Sequence, residues 1–199
     1  MSTSATPIRP DATSVGKRAA AILADIENDI EFDRLVSSTE RYIDCWATFT
    51  GYPLIAQWSE STDKAPLFQE GLRVLALKAA VWEATNGDEE AAELLVSPPV
   101  DEMVHAILAQ TNLLTRLTTR LNFPAVHMTD MEEFGWEPGD YTEQCYRAAG
   151  WGEPPSRYWI GTTEAKRRLD YLNDQLAKAG FAPFGKSHRH DFAELASTS

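Results

Sequence analysis

PLFQEGLRVLALKAAVWEATNG, residues 66–87, places apolar side chains at Leu67, Phe68, Leu72, Leu75, Ala79 and Trp82. Steps of three and four residues are the period of one helical face. Asn86-Gly87 follows, the kind of pair that tolerates a left-handed cap and stops a helix. The spacing predicts a helix over 66–84, preceded by a polar loop, WSESTDKAP (58–66).

The same period extends in both directions. Upstream, from Ser14, Val15, Ala19, Ile22, Leu23, Ile26 and Ile30 recur at helical steps. DIENDIEFD (25–33) interleaves acids with Ile26, Ile30 and Phe32 and is read as helix or helix break. Leu35, Ile43, Trp46 and Phe49 carry the stripe on to Gly51-Tyr52-Pro53. Downstream, Asp88 caps EEAAELLV. Ser97 is placed as the next N-cap, with Pro98 at the first helical position, where a missing N–H costs nothing. That helix is expected to reach Leu121 and end at Asn122-Phe123-Pro124. Residues 123–160 are aromatic and punctuated by Gly and Pro, with one helix from Asp140 to about Gly150. A last helix spans Thr162 to Ala179, with Leu169, Leu172 and Leu176 on one face and Gly180 after it.

No βαβ alternation or regular strand spacing interrupts this pattern. The expected fold is all-α: a single helical domain of six or seven helices with a long aromatic, Gly/Pro-rich ordered loop region. Its expected limits are 14–182, between a flexible arm (1–13) and a tail (183–199) that contains His188 and His190.

The chain has 199 residues, of which 43% are hydrophobic, enough to build a core. Its formal net charge of -12 repels phosphate backbones and anionic lipid, which argues against general nucleic-acid or membrane binding. No apolar run approaches the roughly 18 residues of a membrane span, and MSTSATPIRPDATS has no apolar signal core. Cytoplasmic location is the expectation. Arginine-rich basic usage is loosely associated with GC-rich bacterial genomes. Cys45 and Cys145 form no CxxC pair, so neither a zinc knuckle nor a dithiol redox motif is expected. Cys145 is read as a packed thiol. Neither GxxxxGK[ST] nor GxGxxG occurs, so no nucleotide cofactor is indicated, and no GxSxG elbow is present. Lys166-Arg167-Arg168 reads as a solvated helix face.

SPPVDEMVHAILAQ (97–110) carries the remaining chemistry. At about 100° per residue, Val100, Met103, Ile107, Leu114 and Leu121 share one side, with Asp101, His105, Asn112 and Arg116 opposite. That stripe is either a solvated face with an Asp101–His105 ion pair or the lining of a site. Glu102-x-x-His105 matches half of a di-iron carboxylate motif, but the second Glu-x-x-His helix is missing. A single divalent metal remains a candidate, with Glu102, His105 and His127 as ligands and Asp130, Glu132 and Glu133 nearby in sequence. The catalytic candidates are His105, as base, and Asp101, orienting it. The aromatics Phe134, Trp136, Tyr141, Tyr146, Trp151, Tyr158 and Trp159 either cap the core or line a pocket. Trp136, Tyr141, Trp151, Tyr158 and Arg116 are the ligand-binding candidates.

The segment SPPVDEMVHAILAQTNLLTRLTTRLNFPAVHMTD, with the upstream EFDRLV and LFQEGLRVLALKA, resembles the glycine-rich domain-containing-protein-like family, especially its short bacterial members. Val100, Asp101, Glu102, His105, Ile107, Leu108, Thr111 and His127 fit that pattern, and the similarity covers roughly residues 31–130. Val104 stands where the family has Trp, Met128 replaces the second histidine of the closing pair, and the cysteine-rich tail of many members is absent. The resemblance implies a helical fold and a single constellation of Asp101, Glu102, His105 and His127. It brings no settled activity.

Three functions are compatible with these features. The first is an α-helical binding or accessory protein, with a pocket or partner surface between the helix after Ser97 and the loops of 123–159. The second is a small metal-assisted enzyme using His105, Asp101 and His127. The third is a regulatory module acting through acidic residues 25–44. The expected partner is a small molecule or a protein, with a homodimer open.

Overall fold

The computed structural model describes residues 9–45, 52–128 and 135–181. Among them the chain is all-α, with no strand. The helices are α1 (Ala12–Glu27), α2 (Phe32–Cys45), α3 (Glu60–Ala84), α4 (Glu89–Ala92), α5 (Pro98–Leu108), α6 (Thr111–Leu121), α7 (Tyr141–Ala148) and α8 (Thr162–Lys178), with a 3-10 turn at Tyr52–Leu54. None is long and apolar enough to cross a membrane. Two compact units divide the chain at Thr162. In the second, α8 pairs its charges locally, Glu164 with Arg167 and Arg168, and Lys166 with Asp170. The basic run is thereby matched by acids of its own helix.

The first unit is built on α3, against which α1, α4, α5 and α7 pack. Leu67, Leu72, Val74, Leu75, Leu77, Ala79 and Val81 are buried along it. So are three charged residues, Asp63, Glu70 and Lys78. They lie seven and eight residues apart, which puts all three within about a quarter turn of one another on the helix surface.

Three boundaries differ from those the periodicity suggests, and one stretch with two readings takes the second. First, α3 begins at Glu60, not near Pro66, because Asp63 Oδ2 accepts the Ser59 N–H at 2.8 Å and closes the first turn. Pro66 therefore sits inside the helix, where its ring lacks the N–H that would normally bond back one turn. Second, the 25–33 stretch, read as helix or helix break, is a break. Asn28 ends α1, and Ile30 is 88% exposed. Asp29 is bonded by Arg120, and Glu31 by Arg116 and Arg120. Third, the helix expected over 97–121 is two helices, broken at Ala109-Gln110. Residues 109–112 (AQTN) have no large apolar side chain to bury, and the turn lets Leu113, Leu114 and Leu117 reach the core. Fourth, α4 stops at Ala92, and the chain continues extended through Leu94 and Val96, both buried.

The N-terminal boundary also moves. Asp11 caps α1 by accepting the Ser14 N–H at 2.8 Å. Arg9 donates to the Ala91 carbonyl and lies over the Tyr141 ring. Residues 9–13, expected in a flexible arm, are thus docked; residues 1–8 and the expected tail 183–199 lie outside the described residues. Asn122 ends α6 in the left-handed conformation (φ 52°), with Pro124 beyond it.

Ser97 occupies the N-cap position of α5, but its side chain makes no cap bond there. Its hydroxyl instead receives the Ile160 N–H at 2.8 Å and faces the Tyr158 and Ile160 carbonyls at 2.9 and 3.2 Å. One buried side chain thereby joins the start of α5 to residues 158–160.

Two glycines permit close helix crossings. A Cβ on Gly16 would lie 2.6 Å from Ala148 C, Ala149 N and Cys145 O of α7 and its cap, all backbone atoms. A Cβ on Gly71 would meet Ile107 Cδ1 at 2.9 Å and Met103 Cγ at 3.0 Å on α5. Side-chain ends can rotate away, whereas backbone cannot. Gly16→Ala should therefore destabilise the chain by the upper part of about 1–3 kcal/mol, and Gly71→Ala by less. Thermal or urea unfolding of the two variants checks that order.

Candidate metal centre

Asp101, Glu102 and His105 come from α5, and His127 from the extended segment after α6. The helical rise sets Asp101 and His105 one turn apart on the same face. α5 is apolar nearly all round: Val100, Met103, Val104 and Ile107 are all fully buried. Its polar stripe is therefore pressed into the fold at one end, with Asp101 buried and His105 about one third exposed.

The two histidines meet. His105 Nε2 lies 2.7 Å from His127 Nε2, with the rings edge-to-face at 64°. Asp101 Oδ2 is 3.5 Å from His105 Nε2. One ligand atom from each of Asp101, His105 and His127 falls within 4.8 Å of the others. Glu102, the carboxylate expected as a ligand, lies on the far side of the His105 ring, its Oε2 3.8 Å from Nδ1. Asp101, expected to orient His105, is the carboxylate at the convergence point. Asp130, Glu132 and Glu133 are outside the described residues, as are His188 and His190.

Behind His127 is a buried ion pair that the periodicity gives no reason to place there. Lys78 of α3 is completely buried, and its Nζ donates to Glu93 Oε1 and, at 3.1 Å, to His127 Nδ1. Glu93 Oε2 accepts the Met128 N–H at 3.1 Å, which secures the backbone next to His127. The available clue is that Lys78 is flanked by Ala76, Leu77, Ala79, Ala80 and Val81, with no polar neighbour to share a solvated face. With neutral rings, Asp101, Glu102, Glu93 and Lys78 together carry two more negative than positive charges. That is the charge of one divalent cation.

Each of the five ligand-binding candidates is engaged within the fold. Trp136 packs edge-on against Trp159 at 5.2 Å. Tyr141 donates to the Pro10 carbonyl at 2.9 Å. Trp151 packs edge-to-face against Tyr146 at 5.3 Å and covers the Arg73 guanidinium. Tyr158 donates to Asp63, and Arg116 pairs with Glu31 and so leaves the Asp101–His105 stripe. Tyr146 and Trp159, against which Trp151 and Trp136 pack, meet the buried Glu70 carboxylate. That carboxylate receives Tyr146 Oη at 3.0 Å, Trp159 Nε1 at 2.8 Å and Arg73 at 2.7 Å. Burial pushes the Cys145 thiol up to about 11, in keeping with a packed, unreactive sulfur. A cavity of about 340 Å³ lies elsewhere, lined by Trp82, Glu83, Thr118, Asn122, Phe123 and Pro124.

No protein family, curated protein or solved structure matches this chain.

Asp63 gives the clearest pH dependence. Arg157 binds both its oxygens, at 2.5 and 2.8 Å, and Ser59 N–H and Tyr158 Oη add to them. These bonds, Arg157 foremost, hold its carboxyl at about 2, against an ordinary 3.8. A depressed acid stabilises the fold above its unfolded pKa, and that contribution disappears as pH falls through the folded one. The wild type should therefore lose about 1–2 kcal/mol from this group between pH ~4 and pH ~2. Asp63→Asn should be less stable at pH 7 and lack that component of acid sensitivity, read from urea unfolding at several pH values.

Proposed function

We propose that this chain is a mononuclear divalent-metal protein with Asp101, His105 and His127 as ligands. The single observation that carries the reading is the 2.7 Å approach of two imidazole Nε2 atoms beside a buried carboxylate. Two imidazoles and a carboxylate with a further position open is the donor set of catalytic zinc-type sites, whereas closed structural sites use four protein ligands. At metal–ligand distances of about 2.0–2.1 Å the donors of a tetrahedral site lie roughly 3.3 Å apart. The two rings need to part by only about half an ångström to reach that spacing. The charge of the surrounding groups suits the same ion.

Asp101, His105 and His127 would hold the ion, with His105 about one third exposed. The chemistry an ion held there would supply is a water of lowered pKa, able to act as a nucleophile at neutral pH. Hydrolysis or hydration is therefore the reaction class we assign, with a cytoplasmic location. Glu102 Oε2 lies 3.8 Å from His105 Nδ1, the nitrogen turned away from the ligand side, where a carboxylate would help orient the ring. The resemblance of residues 31–130 to the glycine-rich domain-containing-protein-like family supports the grouping, since it joins Asp101, Glu102, His105 and His127. The aromatic-pocket reading has less behind it, because Trp136, Tyr141, Trp151, Tyr158 and Arg116 are each engaged within the fold.

Elemental analysis of protein purified without a histidine tag tests the proposal. About one equivalent of a divalent transition metal is expected, lost in both His105→Ala and His127→Ala and retained in Arg116→Ala. Wild-type protein that takes up no Zn²⁺, Co²⁺ or Mn²⁺ while keeping its helical circular dichroism sinks it.

A further inference from the structure

Lys78 reveals which way the hydrogen bonds run through the centre. An ammonium carries only donors. The 3.1 Å contact from Lys78 Nζ therefore makes His127 Nδ1 the acceptor, and the proton of the neutral ring sits on Nε2. That proton points at His105 Nε2, 2.7 Å away, which accepts it. The proton of His105 is then on Nδ1, facing Glu102 Oε2 at 3.8 Å. Donation runs in a single direction, from Lys78 to His127 to His105.

This direction conflicts with ligation. A ring nitrogen that bears a proton has no lone pair for a metal, so His127 Nε2 cannot ligate in this state. His105 Nε2 already presents a lone pair. For His127 to bind the ion, the proton must leave Nε2 and one must sit on Nδ1, with no net change in protonation. Nδ1 then needs an acceptor, and Glu93 Oε1 lies 3.9 Å from it. Glu93 hydrogen-bonded to His127 is the carboxylate–histidine–metal arrangement that fixes a ligand's ring state and raises its basicity. Lys78 competes for the same nitrogen and places a like charge near the ion.

We infer that the buried Lys78–Glu93 pair gates the centre: Lys78 on His127 Nδ1 holds the closed, metal-free ring state, and transfer of Nδ1 to Glu93 opens it. The inference rests on the metal reading above and assigns two positioning residues, of opposite effect, to the same site. A purely structural ion pair predicts something different, since removing either partner would then loosen His127 in the same way.

The experiment is competition titration with Zn²⁺ and Co²⁺ on wild type, Lys78→Met and Glu93→Gln, with circular dichroism as the fold control. Methionine keeps the apolar length of the lysine stem in its buried slot. Lys78→Met should bind roughly tenfold or more tightly, through loss of the competing donor and the like charge. Glu93→Gln should bind about 10–100-fold more weakly, as outer-shell substitutions do. Nitrogen-15 NMR of the wild type needs no variant to fold. It should show His127 protonated at Nε2 in the metal-free protein and at Nδ1 after Zn²⁺ is added. Weaker or unchanged binding in Lys78→Met, or metal-free His127 protonated at Nδ1, overturns the gate and leaves the metal centre standing. A wild type that binds neither ion overturns both.

Discussion

Three charges are buried along α3, and the rest of the first unit is arranged so that each has a partner. Transferring an ion from water into a protein interior costs several kcal/mol unless pairing and hydrogen bonds offset it. Asp63 is met by Arg157 and Tyr158, Glu70 by Arg73, Tyr146 and Trp159, and Lys78 by Glu93 and His127. Most of these partners come from non-helical chain. The segments before α5, after α6 and after α7 carry few apolar side chains in any periodic order, so hydrophobic burial alone would position them poorly. The charges of α3 give each one a fixed address.

The helical core was legible in the sequence because apolar period and helix period coincide. Val15, Ala19, Ile22, Leu23 and Ile26 on α1, and Leu67, Leu72 and Leu75 on α3, are all buried where the steps of three and four place them. Breaks between helices were less legible. Residues 109–112 can continue a helix by local preference, and it is the need to bury Leu113, Leu114 and Leu117 that turns the chain there. The start of α3 was misplaced for a similar reason. Asp63 reads as loop until Arg157, ninety-four residues later, is known to hold it.

The candidate centre was half legible. The spacing of Asp101 and His105 is local and survives folding, while the approach of His127 depends on how α6 returns the chain. Which carboxylate joins them was not decided by spacing, because Asp101 and Glu102 are adjacent and point to different sides of one ring. Lys78 and Glu93 were missed because a wheel counts apolar residues and treats a lone lysine as the edge of a stripe. The aromatic residues of 136–159 illustrate the converse. Their density is visible in the sequence, but nothing in it shows that Tyr146 and Trp159 donate to Glu70.

Ser97 gives the fold one further property. Its hydroxyl holds residues 158–160, which carry Tyr158 to Asp63 and Trp159 to Glu70, at the residue from which α5 begins. Asp101 lies four residues further on, and its N–H bonds directly to the Ser97 carbonyl. The two anchored acids of α3 and the histidine pair thus share one mechanical joint. Removing that one hydroxyl would therefore free the supports of Asp63 and Glu70 and the first turn of α5 together.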